Sequence, residues 1–378
     1  MCAIFGTIGR ANLDLIKEIS KKQIYRGPNE QNYFVSKDNL VSIGNNRLAV
    51  IDKANGNQPM FSNNKRYVSV FNGCIYNFNE IKRYLESKKV TFKTKSDTEV
   101  LVNSFEYFGF ESFNYFDGMW AVAIYDQELN KIILSRDYVG QKPLYYSKNN
   151  EYYVFSSQLE GLLVDKSLKI DLSKESLKKF FTYSHVPAPN TLFSNIYQVE
   201  PGENIIIDVK NLEKTNKKYW DLTKGPDHNI FFKPIQKSNF EEEFSNIIKQ
   251  HSIADKDPAI SLSGGVDSYL VMNYFSSNKD STTSYTLGFQ NETFDESKHV
   301  KKINKKIEKK IFNLTDEEIK EQFINITKLL TEPMGDSSII PTYIIQNKIK
   351  EFSNVSLGGD GGDESFFGYI TFDAYYLA

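Results

Sequence analysis

The chain has 378 residues, 40% of them hydrophobic, 14% aromatic and 25% charged, with a formal net charge of −2 at pH 7. That length suits about two or three domains with ample core, and the balanced charge gives no electrostatic footprint for nucleic acid or an anionic membrane surface. Two cysteines, Cys2 and Cys74, argue against a disulfide framework and fit a reducing, cytoplasmic compartment; the apolar runs are too short to cross a bilayer, and the N-terminus has no signal-peptide pattern.

Short apolar or aromatic runs bounded by Gly, Asn, Asp and Lys predict strands at 3–8, 67–71, 121–125, 132–134 and 152–155. Apolar residues at three- and four-residue spacing predict helices at 78–86 and 98–107, the second starting after Ser96-Asp97 as its N-cap. Residues 206–238 turn polar, with Lys217, Lys218, Lys224, Gly225, Pro226 and Asp227, and read as a connecting segment between domains at 2–205 and 239–378. Beyond it, strands at 259–262, 283–289 and 355–357 alternate with helical stretches, the pattern of a parallel α/β sheet. The lysine-rich stretch 298–310 also holds Glu308 and apolar residues, and reads as a solvated helix face.

A thiol at position 2 carries chemistry of its own. Once Met1 is removed, Cys2 bears a free α-amine beside its thiol. Such an amine titrates at about 7.7–8.0 and can take the thiol's proton near neutrality, leaving the thiolate as nucleophile. Taken alone, Cys2 reads more readily as a small buried residue of a first strand.

The segments that follow give it company. They are Cys2-Ala3-Ile4-Phe5-Gly6, Arg26-Gly27-Pro28, Asn46-Arg47-Leu48-Ala49-Val50-Ile51-Asp52 and Gly56-Asn57-Gln58-Pro59-Met60. Then come Phe71-Asn72-Gly73-Cys74-Ile75-Tyr76-Asn77, Ser96-Asp97-Thr98-Glu99-Val100, Asp117-Gly118-Met119-Trp120-Ala121 and Arg136-Asp137-Tyr138-Val139-Gly140-Gln141-Lys142-Pro143-Leu144. In this order they resemble the motifs of the class II (N-terminal-nucleophile) glutamine amidotransferases of the asparagine synthetase type. The resemblance implies an αββα Ntn-hydrolase sandwich with Cys2 as nucleophile. It further implies that the Asn72 amide and the Gly73 backbone N–H form an oxyanion hole, where glycine allows close approach. Arg47, a planar bidentate donor, and Asp97 would hold the α-carboxylate and α-ammonium of glutamine. Read singly, the same residues fit a surface ion pair (Arg47), a helix cap (Asp97) and a hairpin turn (Asn72-Gly73).

The chain departs from the family pattern at several places. Ala3 stands for the usual Gly, which would cost about 1 kcal/mol or more if that backbone needs a positive φ. Cys74 stands for the Glu usual in asparagine synthetases, Asn29 for Asp, and Tyr25 and Asn45 for common histidines. A Cys74 close to Cys2 would make the site sensitive to oxidation.

A second constellation, Ser261-Leu262-Ser263-Gly264-Gly265-Val266-Asp267-Ser268, follows a strand and opens a helix, where backbone N–H groups make an anion site. It lacks the lysine of the kinase-type phosphate loop and resembles the Ser-Gly-Gly-x-Asp-Ser loop of the ATP pyrophosphatase (PP-loop) family. The resemblance implies that Ser263, Gly264, Gly265 and Ser268 hold pyrophosphate and that Leu262 and Leu287 meet adenosine through backbone groups. Asp267 and Asp363 would bind Mg²⁺. The segment running from Glu332-Pro333 through Asp336 and Ser338 to Pro341 and Tyr343, and Gly358-Gly359-Asp360-Gly361-Gly362-Asp363-Glu364, resemble family motifs beside nucleotide and acceptor. Gly358 and Gly359 are expected at ATP, and Asp336 and Asp360 at the acceptor and the adenylation step. Gly358 stands where Ser is common.

The resemblance thus implies a glutamine-hydrolysing, ATP- and Mg²⁺-dependent ligase: ammonia from glutamine attacks an acyl-AMP formed on a carboxylate, in the first instance aspartate. A carboxylated sugar as acceptor and a catalytically dead scaffold stay open, as does a homodimer. β-Lactam synthetases are disfavoured by the retained Cys2, Arg47, Asn72 and Asp97, and glucosamine-6-phosphate synthase by the PP-loop. Family members continue for a further helical region of about two hundred residues, so the chain is expected to be a C-terminally incomplete piece.

Overall fold

In the computed structural model the described residues are 1–221, 239–277, 279, 281–290, 295–303 and 307–372. The chain divides into two units, one of residues 1–233 with 331–335, the other of 234–330 with 336–378.

The first unit carries β1 (Ala3–Ile8), β2 (Glu30–Val35), β3 (Val41–Arg47), β4 (Met60–Phe61), β5 (Tyr67–Ile75) and β6 (Gly118–Asp126). It continues with β7 (Lys131–Arg136), β8 (Tyr145–Lys148), β9 (Tyr153–Ser156), β10 (Ile196–Gln198), β11 (Glu203–Asp208) and β12 (Lys214–Lys218). They form two six-stranded antiparallel sheets, ordered β10-β8-β9-β1-β3-β2 and β12-β11-β7-β6-β5-β4. Period-two alternation decides the layering. Ile4 and Ile8 of β1 join Val68, Val70, Ala121 and Ala123 in the core between the sheets. Ala3 and Phe5 face the other way, onto Leu15, Ile16 and Ile19 of the helix Leu13–Lys22. The helices Phe78–Ser87 and Asp97–Phe108 belong to the second sheet, where Phe105 stacks edge-on with Tyr67. This is the αββα sandwich expected, and Ser96 caps its helix as read from sequence, accepting from the Thr98 N–H at 3.2 Å.

The expected end of the first domain at 205 is corrected. β11 and β12 pair in register from Glu203↔Lys218 to Ile207↔Lys214 and extend the second sheet, and Tyr219 stacks on Trp120. Polar composition misled because an edge strand with one wet face is polar. Lys224, Gly225, Pro226 and Asp227 lie outside the described residues.

The second unit holds a parallel sheet ordered β15-β14-β13-β16, from β13 (Ala259–Ser261), β14 (Thr283–Phe289), β15 (Glu308–Leu314) and β16 (Ser356–Leu357). β13 is flanked by β14 on one side and β16 on the other, so the strand order reverses there and opens a crevice at the carboxyl ends. The reading of 298–310 as one solvated helix face is also corrected: the helix spans Ser297–Lys302, and Lys309 and Lys310 lie in edge strand β15. Lys310 Nζ sits 4.0 Å from the Phe352 ring centroid. Among the described residues no helix is long and apolar enough to cross a membrane.

Candidate functional sites

Strand register delivers the first site. Ala3 pairs with Asn46, which brings Cys2 to the end of β3, where the Leu48 N–H points at Cys2 Sγ at 3.4 Å. Ala3 lies in regular extended strand, buried in the core, so its β-carbon carries none of the positive-φ strain anticipated from sequence.

Asn72 and Gly73 are not a hairpin turn. They lie within β5, opposite Ala121 and Trp120. The Asn72 side chain is 1% exposed, and its Nδ2 has no hydrogen-bond partner among the described residues. A buried amide left unsatisfied is costly. A β-carbon on Gly73 would fall 2.1 Å from the Met119 carbonyl oxygen, so glycine is required by the neighbouring strand.

Asp97 opens the helix Asp97–Phe108 and accepts from the Ile75 N–H at 3.1 Å. Burial pushes its carboxyl up to about 6, against the backbone N–H bonds and Arg47, which hold it down. The Cys74 thiol is pushed well up, first by burial and then by Asp97, with Lys142 acting in the opposite sense.

Arg47 is 3% exposed, and its terminal nitrogens are engaged by the protein itself. Nη1 donates to Glu30 Oε1, the Lys53 carbonyl and Asn57 Oδ1 at 3.0–3.1 Å, and Nη2 to the Ile51 and Asp52 carbonyls at 3.2 and 2.7 Å. Neither an exposed surface pair nor an open carboxylate clamp describes it: here it gathers the loop at 51–57.

Sequence reasoning passed over two further groups. Arg26 donates from Nε to the Cys2 carbonyl oxygen at 2.9 Å, and Lys142 lies within electrostatic reach of Cys2 and Cys74. Both sit inside the motifs quoted above, but only burial singles them out.

In the second unit one cavity of about 700 Å³ gathers segments distant along the chain. Residues 261–268 contribute Leu262, Ser263, Gly265, Asp267 and Ser268. Leu287, Asp336, Gly358, Gly359, Asp360 and Asp363 complete the expected set, with Gly264 outside the lining. The loop is held from within: Ser263 Oγ accepts from the Gly265 N–H at 3.1 Å and lies 3.0 Å from Ser268 Oγ. Gly264 adopts φ +135°, which favours glycine. The loop at 358–362 packs closely on this helix start, since a β-carbon on Gly359 would sit 2.6 Å from Ser268 N. Gly358 has room for a side chain, its β-carbon meeting only Asp360 Oδ2 at 3.4 Å and Ser261 at 3.9 Å.

Two expectations change. The Leu262 N–H is taken by the Tyr285 carbonyl at 2.9 Å and its carbonyl accepts from Thr286 Oγ1 at 2.8 Å, leaving one carbonyl lone pair for a ligand. Glu332, expected beside the nucleotide, groups with the first unit. It accepts from the Leu192 N–H at 2.6 Å, and burial raises its carboxyl.

The family model described as a glutamine amidotransferase domain matches residues 1–220, and that described as asparagine synthase matches residues 239–378. Asparagine synthetase (glutamine-hydrolyzing) 1 of Bacillus subtilis is 30% identical over 392 residues, covering 98% of this chain and 59% of that protein. The protein named "Putative asparagine synthetase (glutamine-hydrolyzing) 2" of Methanocaldococcus jannaschii is 31% identical over 403 residues, covering 98% and 76% respectively. Among solved structures, glutamine phosphoribosylpyrophosphate amidotransferase from B. subtilis, complexed with ADP and GMP, is 17% identical over 73% of this chain and 64% of that one. Its TM-score is 0.45.

Proposed function

The chain belongs to the asparagine synthetase family of glutamine-dependent amidotransferases, and from that premise we propose that it releases ammonia from glutamine at Cys2 and spends ATP to amidate a carboxylate, aspartate in the first instance. The observation that carries the synthetase half is the single cavity collecting the PP-loop, Asp336 and the glycine loop at 358–362. Its size and its few convergent polar groups suit a small-molecule site, and its place at the strand-order reversal is where such sheets bind ligands.

In the glutaminase half, the Cys2 α-amine takes the thiol proton and the sulfur attacks the γ-amide carbon. The Asn72 Nδ2 and the Gly73 N–H then receive the developing oxyanion. Asp97, raised by burial, binds the α-ammonium and is drawn into its ionised form by that contact. Arg47 would reach the α-carboxylate only after yielding part of its hold on the loop at 51–57.

In the synthetase half, Ser263, Gly264, Gly265 and Ser268 bind pyrophosphate oxygens, and Asp336 and Asp360 border the acyl acceptor. The residues fit Mg²⁺: Asp267 and Asp363 line one cavity, and magnesium is held by one or two carboxylates with phosphates completing its shell. When bound, the ion would neutralise phosphate charge.

The test is glutamate and AMP release by purified protein and by Cys2→Ala, with ATP, Mg²⁺ and either aspartate or a hexuronate. Cys2-dependent glutamate together with aspartate-dependent AMP supports the reading. AMP only with the hexuronate replaces the acceptor, and glutamate from neither protein, with Met1 removed, defeats the glutaminase. The chain spans 59% of the length of its B. subtilis relative, so AMP release is measured on the chain as it stands.

A further inference from the structure

Two buried cations converge on the N-terminal dipeptide, and among the described residues neither is in a salt bridge. Arg26, 6% exposed, holds the Cys2 carbonyl oxygen and brings Nη2 to 3.9 Å from Met1 Sδ. Lys142, 7% exposed, brings Nζ to 3.2 Å from the same sulfur. Among the described residues neither has a carboxylate within ion-pair distance. Asp137, the acid next along the chain, spends its carboxylate on the backbone N–H groups of Trp120, Gln141 and Lys142. A thioether is a weak acceptor, and burying an ammonium without a counter-charge is expensive. A fold that keeps such a group needs a use for its field. Burial first, then Arg26, pushes Lys142 below the ordinary lysine value, as expected of crowded like charges.

We propose that Lys142, together with Arg26, keeps the α-amine of Cys2 unprotonated, so that this amine is free to accept the thiol proton at neutral pH. The proposal rests on the reading of Cys2 as an N-terminal nucleophile. An ordinary α-amine, at about 7.7–8.0, is mostly ammonium at pH 7, so only a minor fraction is free to act as a base. Two neighbouring cations disfavour a third positive charge. The other charged or titratable groups facing this pair are few. Cys74 comes from β5, Tyr145 from β8, and Asp137 is committed as described. Tyr25 lies beside Arg26 on the turn Ile24–Arg26, and Glu160 receives the Tyr25 hydroxyl at 2.7 Å. Lys142 acts through the amine and not on glutamine, so it is a positioning residue.

The experiment uses the full chain released from an N-terminal tag so that Cys2 is its first residue, labelled with 15N-cysteine. Only Cys2 and Cys74 then carry label, and the Cys2 amine resonance reports its own titration. The wild-type midpoint is expected below the ordinary α-amine range, rising by about one pH unit in Lys142→Met and returning in Lys142→Arg. The acid limb of glutaminase kcat/KM should rise with it, at unchanged KM for glutamine. The Tm of Lys142→Met should not fall, since an unpaired buried charge is being removed; Lys142→Gln replaces it if the methionine variant does not fold. A wild-type midpoint at or above the ordinary range, or one that the neutral variants leave in place, overturns the proposal. Midpoints that move as expected in a protein that releases no glutamate uphold this inference and sink the glutaminase reading instead.

Discussion

In the first unit the candidate site consists of buried side chains on strands and at a helix start: Arg47 is 3% exposed, Asn72 1% and Asp97 5%. In the second it consists of loops at the open end of a parallel sheet, where Ser263, Gly265 and Asp360 are exposed and the cavity is lined by both backbone glycines and acids. The difference suits the chemistry proposed for each site. A nucleophile and its oxyanion donors must be held in place before the substrate arrives, whereas a nucleotide site can leave charge for the phosphates and their cation to complete. Substitutions in the first unit should therefore act on rate and on pH behaviour, and those in the second on nucleotide use.

The sharpest break is Cys2→Ala, which should lower glutamate release by about 10³-fold or more while AMP release supplied with ammonia stays unchanged; a loss of both would undo the separation. Asn72→Ala should follow, with kcat for glutamine falling by about 10²–10³-fold. Because Nδ2 has no protein partner, its removal should shift stability by less than about 1 kcal/mol, read from denaturant melts. Gly359→Ala should cost ATP-dependent AMP release about 10²-fold by displacing the loop from the helix start, with glutamate release intact.

The smallest effect concerns pH. Asp97 is raised to about 6 by burial, above the roughly 3.9 of an unfolded chain. Between those values the folded state binds the proton and the unfolded state does not, so stability falls as pH rises from about 4 to about 6. Asp97→Asn should remove that slope and gain on the order of 2–3 kcal/mol at pH 7, while raising KM for glutamine. A stability profile flat across this window in the wild type would show that the carboxyl is ionised without substrate, and would bring the first site closer to the second in character.

Local signals carried the elements they could reach. Thr283–Phe289 and Ala3–Ile8 emerged as strands with these limits because alternation and flanking breakers are properties of the segment itself. The loop at 261–268 was legible for the same reason: Gly264 at φ +135° and the Ser263–Ser268 contact are local. The edge strands β12 and β15 were missed, their residues being polar where one side of a sheet is wet, and β11 was missed with β12 although Ile205 and Ile207 belong to the core.

What the sequence determined by itself is the inventory: a thiol at position 2, the motifs in family order, a glycine turn between strand and helix. What only the tertiary structure decided is the state of each group. The engagement of Arg47 by five protein acceptors, the unsatisfied amide of Asn72, the raised carboxyl of Asp97 and the burial of Lys142 depend on atoms far away in the chain. Burial and hydrogen bonding sum over neighbours in space, and no periodicity along the chain encodes that sum.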